Sequence, residues 1–118
     1  MQYALLFYQT EDPLAQKPQS ERDAWFADMR AWRTELEQAG AFRASLRLAS
    51  PTSAMSLRKD GTQVLLTDGP FAETKEFLGG FIAIECPDLD AALAWGRRCP
   101  ITRIGTIEVR PEFMLPEH

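Results

Sequence analysis

The run Tyr3-Ala4-Leu5-Leu6-Phe7-Tyr8 carries apolar side chains at odd and even positions alike, between polar ends. Successive side chains of a strand point to opposite faces. An apolar run without alternation therefore predicts a strand, Gln2 to Gln9, covered on both sides. Glu11 to Gln19 contains Pro13 and Pro18 and reads as a loop. Beyond it the period changes. Trp25, Met29, Trp32 and Leu36 recur at helical spacing with Phe26 beside them, while Arg22, Asp28, Arg33, Glu35 and Glu37 fall largely elsewhere on the wheel. Ser20 followed by Asp23 is a variant of the capping box, and Glu21 and Asp23 suit the positive end of the helix dipole. Gly40 ends the helix. The aromatic stripe reads as the face that packs on a sheet, in preference to a ligand box.

Ala41 to Ala49 alternates Phe42, Ala44, Leu46 and Leu48 with Arg43, Ser45 and Arg47, the pattern of a half-exposed strand. Ser50-Pro51-Thr52 breaks it. Ala54 to Arg58 and Thr62 to Thr67 are short strands joined by the turn signal Lys59-Asp60-Gly61. Thr67 to Gly79 is polar, with Pro and Gly. Gly80 to Cys86 is another strand. Asp88 then caps a short helix with Leu89, Ala92, Leu93 and Gly96 on its apolar side, and Pro100 stops it. In the last strand, Thr106 to Arg110, Ile107 and Val109 oppose Thr106, Glu108 and Arg110.

The order is β-α-β, a hairpin, then β-α-β. Two such units combine into one antiparallel sheet with both helices on one face: an α+β, ferredoxin-like split βαβ fold with an extra hairpin. The other face carries no helix, yet the first strand is apolar there. A patch of that kind marks an interface. A second copy, sheet against sheet, is the simplest cover, and the mixed face of the last strand would leave a cavity between the two.

Composition narrows the class. The 118 residues suit one domain, spanning residues 1–118, and 45% hydrophobic with 25% charged residues is ordinary for a globular chain. A net charge of −4 argues against direct contact with nucleic acid, which needs clustered Lys and Arg, and gives no support for an anionic membrane. The opening run is too short to span a bilayer and lacks a charged segment before it, so a cytoplasmic protein is the default. Cys86 and Cys99 sit in apolar surroundings and read as buried thiols, with a disulfide left open. No CxxC spacing or other metal-ligand pattern is present, and no cofactor is implied.

Residues 67–80 read TDGPFAETKEFLGG. This strongly resembles the signature of the DGPFAETKE family within the YCII-related group. The likeness continues in the opening YALLFY, in Asp88, Leu89 and Ala91-Ala92, and in Arg103, Gly105 and Ile107 to Pro111, so it spans essentially the whole chain. It implies a dimeric α/β barrel and, for many relatives, a setting beside extracytoplasmic-function sigma factors. Some relatives carry a His and Asp pair proposed as an acid/base site. Here the sole histidine is the last residue, His118, and that pair does not carry over.

The signature admits two readings. In one, Asp68-Gly69-Pro70 is a turn and Phe71 anchors the loop in the core. In the other, the loop delivers Asp68, Glu73, Thr74 and Lys75 to a cleft, with Asp68 or Glu73 as a base and Lys75 as a point charge for an anion. Gly79-Gly80 lacks a phosphate-loop pattern and fits a bulge or a close backbone approach. Glu108 and Arg110 share one strand face. They form a cross-strand ion pair, or Arg110 receives a carboxylate or phosphate in the dimer cavity. Arg103 is a similar, weaker candidate. These residues suit a small-molecule-binding or regulatory homodimer. The alternatives are a small enzyme using Asp68, Glu73 and Arg110 as base and anion clamp, or a purely structural dimer.

Overall fold

The computed structural model describes residues 1–116; His118 lies outside the described residues. The elements follow in the order β1 (Gln2–Gln9), α1 (Gln19–Gln38), β2 (Phe42–Arg47), β3 (Met55–Asp60), β4 (Gln63–Asp68), β5 (Phe77–Glu85), α2 (Leu89–Arg98) and β6 (Gly105–Pro111), with short 3-10 turns at Pro51–Ser53 and Pro100–Arg103. Four strands form one antiparallel sheet in the order β2-β5-β1-β6. That is the ferredoxin-like arrangement. Strands β3 and β4 pair only with each other, as a separate hairpin. Among the described residues no helix is long and apolar enough to cross a membrane.

The helices cover one face. Tyr3, Leu5 and Phe7 of β1 and Ile82 and Ile84 of β5 point into it and are buried with Trp25, Trp32 and Leu36 of α1. Burying each such side chain contributes about 1.5–3 kcal/mol. Two indole N–H groups fix the helical layer. Trp25 donates to the carbonyl of Pro100 at 2.9 Å, and Trp32 to that of Trp95 at 3.0 Å. The α1 stripe is therefore packing surface, as its spacing predicts. Phe26 stays at its margin, edge-on to Trp25 with ring centroids 5.1 Å apart.

Local signals hold at some ends and fail at others. Gly40, at φ 71°, closes α1 in a Schellman motif: its N–H reaches the carbonyl of Glu37 and the N–H of Ala41 reaches that of Leu36. Asp88 caps α2 by accepting from the Ala91 N–H at 2.9 Å. The expected Ser20 cap does not form. Pro18 occupies the N-cap without a side-chain bond, and Asp23 instead accepts from the Gln19 side chain at 2.7 Å. The alternation along β2 is also interrupted. A bulge between Phe42 and Ala44 sets Phe42 opposite Ile84 and Leu46 opposite Phe81, so Phe42 turns to the core and Leu46 to the helix-free face. Strand β5 begins at Phe77, not Gly80, and the segment before it shortens accordingly.

Gly79 is the extra residue of a second bulge, since Phe7 pairs with Gly80 and Tyr8 with Leu78. A Cβ on Gly80 would meet the carbonyl oxygen of Leu46 at 2.7 Å. Both glycines thus serve the backbone roles that their setting in the sequence predicts.

Candidate functional site

Strand register places the residues of the helix-free face in rows. Leu46, Phe81, Leu6 and Glu108 lie side by side across β2, β5, β1 and β6. Ala44, Ala83, Ala4 and Arg110 form the next row, and Leu78, Tyr8 and Thr106 another. The β2-β5-β1 side of this face is apolar, with Leu46 at 55% and Leu78 at 36% exposure. The β6 side is polar. The Tyr8 hydroxyl stands 3.5 Å from Glu108 Oε1, donating to it. A hydrophobic floor thus borders a hydroxyl, a carboxylate and a guanidinium, which is the chemistry of a site that orients a small, partly polar ligand.

The signature segment lies at one end of this face. Its turn is built by the backbone: Gly69, at φ 96°, donates its N–H to the Ala54 carbonyl at 2.7 Å, and the Ser56 hydroxyl donates to the Gly69 carbonyl at 2.7 Å. Asp68, Glu73 and Thr74 line a cleft of about 560 Å³ together with Glu11, whose carboxylate accepts from the Ser50 hydroxyl at 2.8 Å. A neighbouring cavity of about 670 Å³ takes Thr74 and Glu76 from the signature, Tyr8, Leu48 and Leu78 from the sheet end, and Met55 from the hairpin. Glu76 is held there by the Thr106 hydroxyl at 3.2 Å.

The structure unites some of the sequence candidates and separates others. Asp68, Glu73 and Thr74 share one cleft. Lys75 is exposed beside them and does not line it. Glu108 faces Tyr8 on the open sheet. Arg110 pairs with Ala4, near the start of β1, whereas the signature runs into Phe77, which pairs with Gln9 at its end. In one chain the carboxylates and Arg110 are therefore at opposite ends of the sheet. Arg103 lies on the helical side, bonded to Asp28 at 3.0 Å. Among the described residues neither Glu108 nor Arg110 makes an ion pair.

Phe71 corrects the anchoring expectation. It is 91% exposed, because the turn at Gly69-Pro70 carries the ring away from the core that the helices cover. Tyr8 was missed by sequence reasoning, which treated the first strand as uniformly apolar. The polar tip of a tyrosine at an even position was the available signal.

Cys86 and Cys99 are free and buried. Burial pushes both thiols up, Cys99 to about 11, so they stay protonated and unreactive near neutrality. Among the described residues no group of three or more His, Cys, Asp or Glu side chains is placed to hold a metal ion.

Comparison with known proteins adds three findings. A family model described as the YCII-related domain matches residues 1–113. An uncharacterized protein of Rhizobium meliloti (strain 1021) is 37% identical over 115 residues, 94% of this chain and 91% of that one. Among solved structures, 5-chloro-2-hydroxyhydroquinone dehydrochlorinase from Burkholderia phenoliruptrix AC1100, in complex with 2,5-dihydroxybenzoquinone, matches with a TM-score of 0.55. That match covers 96% of this chain and 94% of the other at 14% identity, a likeness of fold alone.

Proposed function

The chain belongs to the YCII-related domain family, and on that footing we propose that it is a small-molecule-binding module working as a homodimer with its helix-free sheets face to face. The observation that carries this reading is the divided face itself. Leu6, Leu46 and Phe81 form an apolar row that water disfavours, and Tyr8, Glu108 and Arg110 border it with unpaired or weakly paired polar groups. Two such faces brought together cover the apolar halves and leave the polar halves lining a shared cavity. A regulatory role, in a setting beside extracytoplasmic-function sigma factors, is what the resemblance of residues 67–80 to the DGPFAETKE signature supports.

A second reading, an enzyme on the same scaffold, is favoured by one feature. The Tyr8 hydroxyl and the Glu108 carboxylate put a donor and an acceptor side by side next to an apolar floor. The fold is shared with a dehydrochlorinase whose structure holds 2,5-dihydroxybenzoquinone. The carboxylates of Asp68 and Glu73 would join Arg110 only if a partner brought the opposite end of its sheet to them.

The test is thermal unfolding with 2,5-dihydroxybenzoquinone and a panel of hydroxylated aromatic and carboxylate metabolites. A ligand at a hundred times its Kd stabilises by about 2.7 kcal/mol, a melting shift of several degrees for a domain of this size. The shift should disappear in Arg110→Ala and in Asp68→Asn. A hit whose shift is the same in both variants would remove the cavity from the argument, and light scattering showing a monomer at micromolar concentration would remove the dimer. Turnover of a bound probe would decide for the enzyme.

A further inference from the structure

We propose that the β3–β4 hairpin is an arm that packs on a second copy of this chain, so that each half of the dimer cavity is walled by the partner's signature segment. The inference rests on the dimer reading and extends it.

The hairpin has one side built for burial. Direct pairing of Leu57 with Leu66, Lys59 with Val64 and Met55 with Asp68 puts Met55, Leu57, Val64 and Leu66 on the same side, with Lys59 near its tip and Asp68 at its root. Their exposures are 55%, 71%, 63% and 62%. The other side holds Ser56, Arg58, Asp60, Gln63 and Thr67 with Leu65. A two-stranded hairpin alone in water is marginal at best, and here the main sheet gives it no pairing strand. The shape agrees. The chain measures 48 × 47 × 18 Å with a radius of gyration of 16.8 Å, against about 13–14 Å for a compact domain of this length.

Area and the continuity of the two surfaces point to a second copy as the cover of the arm. Four strands at about 4.8 Å spacing and seven residues at about 3.3 Å give the open sheet roughly 400 Å² of projected area, a small footprint for a stable interface. The β6 side of that sheet is polar besides. One side of the hairpin adds about 200 Å² on the same dimensions. Phe71, at 91% exposure, extends the apolar surface further. The two surfaces are also continuous. Tyr8, Leu48 and Leu78 of the sheet end and Met55 of the hairpin line a single cavity. A body seated on the open sheet therefore meets the root of the arm, and a two-fold mate offers the same pair of surfaces in return, covering both arms at once. Asp68 ends β4, so the cleft it shares with Glu73 and Thr74 sits at the arm's root, against the partner.

Hydrogen exchange read by mass spectrometry on the hairpin peptides, run beside light scattering over a dilution series, tests this. The expected result is slow exchange of β3 and β4 amides where the protein is dimeric and faster exchange as dilution separates it. Leu57→Lys with Leu66→Lys should speed that exchange and weaken the dimer by about a hundredfold or more, since each leucine buried is worth about 1.5–3 kcal/mol. Arg58→Ser, on the opposite side of the hairpin, should change neither. A stable dimer whose hairpin exchanges freely would overturn the arm and leave the dimer standing. A monomer at every concentration would overturn both. Hairpin protection that persists in the monomer would mean that the arm folds back on its own chain, and would overturn the proposal.

Discussion

The hydroxyl of Tyr8 and the carboxylate of Glu108 stand 3.5 Å apart on the one face of the sheet that no helix covers. Neither is needed to hold the fold, since the core lies on the opposite face, around Leu5 and Ile84. Tyr8→Phe and Glu108→Gln should each alter stability by no more than about 0.5 kcal/mol, a melting change under about 4 °C. The same substitutions should reduce the thermal shift produced by a cavity ligand. Calorimetric or fluorescence melting with and without the probe separates the two effects. A large loss of stability without ligand would place these residues in folding and not in binding.

Backbone approach makes a sharper stability prediction at Gly105. A Cβ there would run into the carbonyl oxygen of Tyr8, a backbone atom that cannot swing aside. Gly105→Ala should therefore force β6 off β1 and cost about 3 kcal/mol or more, within the range of overpacking and backbone strain. Gly96 provides the contrast. It lies inside α2, where an added Cβ would make an ordinary 3.7 Å contact with Val109. Gly96→Ala should stabilise by about 0.5–1 kcal/mol through helix propensity. Urea unfolding of both variants gives opposite signs if the backbone geometry is right.

These glycines show what the sequence could reveal. Gly79-Gly80 before a strand announced a bulge and a close approach, because few other uses exist for paired glycines there. The α1 stripe announced its own packing face, because Trp25, Trp32 and Leu36 keep the helical period. Alternation in β2 misled, because one bulged residue between Phe42 and Ala44 reverses every later side chain, and a bulge leaves no mark in a pattern of polar and apolar letters. The separation of Arg110 from Asp68 was illegible for another reason. Strand order and register, not spacing along the chain, decide which ends meet, and Arg103 turned to Asp28 on the helical side by the same rule.

Burial of Cys99 sets a pH dependence. Desolvation raises its thiol from 9.0 to about 11. Below pH 9 the thiol is protonated in folded and unfolded chains alike and contributes no slope. Between about 9 and 11 the unfolded chain loses its proton first, so the folded state binds more protons and stability falls as pH rises. The Cys99 contribution levels off above about 11, where both states are ionised, while Tyr3, also raised by burial, carries the decline further. Denaturant unfolding at a series of alkaline pH values should show this decline, and Cys99→Ala should flatten it while lowering stability throughout. Cys86, raised by the same cause, leaves a residual slope. An unchanged slope in the variant would mean that another group governs the alkaline limb.

The link between Trp25 and Pro100 yields the last prediction. The indole N–H of Trp25 donates to the carbonyl of Pro100, a buried residue that opens the 3-10 turn Pro100–Arg103. Trp25→Phe keeps much of the ring but removes the donor. The buried carbonyl then keeps only its bond within the 3-10 turn Pro100–Arg103, a loss of about 0.5–1.5 kcal/mol, and the smaller ring leaves a cavity that adds to it. Trp32→Phe removes a similar bond, to Trp95, whose surroundings are only half-buried. Water can reach that carbonyl, so its loss should cost less. The two indoles make separate bonds to separate partners, and the double variant should lose about the sum of the single losses, within roughly 0.5 kcal/mol. Equal losses from the two single variants would show that the buried bond to Pro100 is worth no more than the half-exposed bond to Trp95.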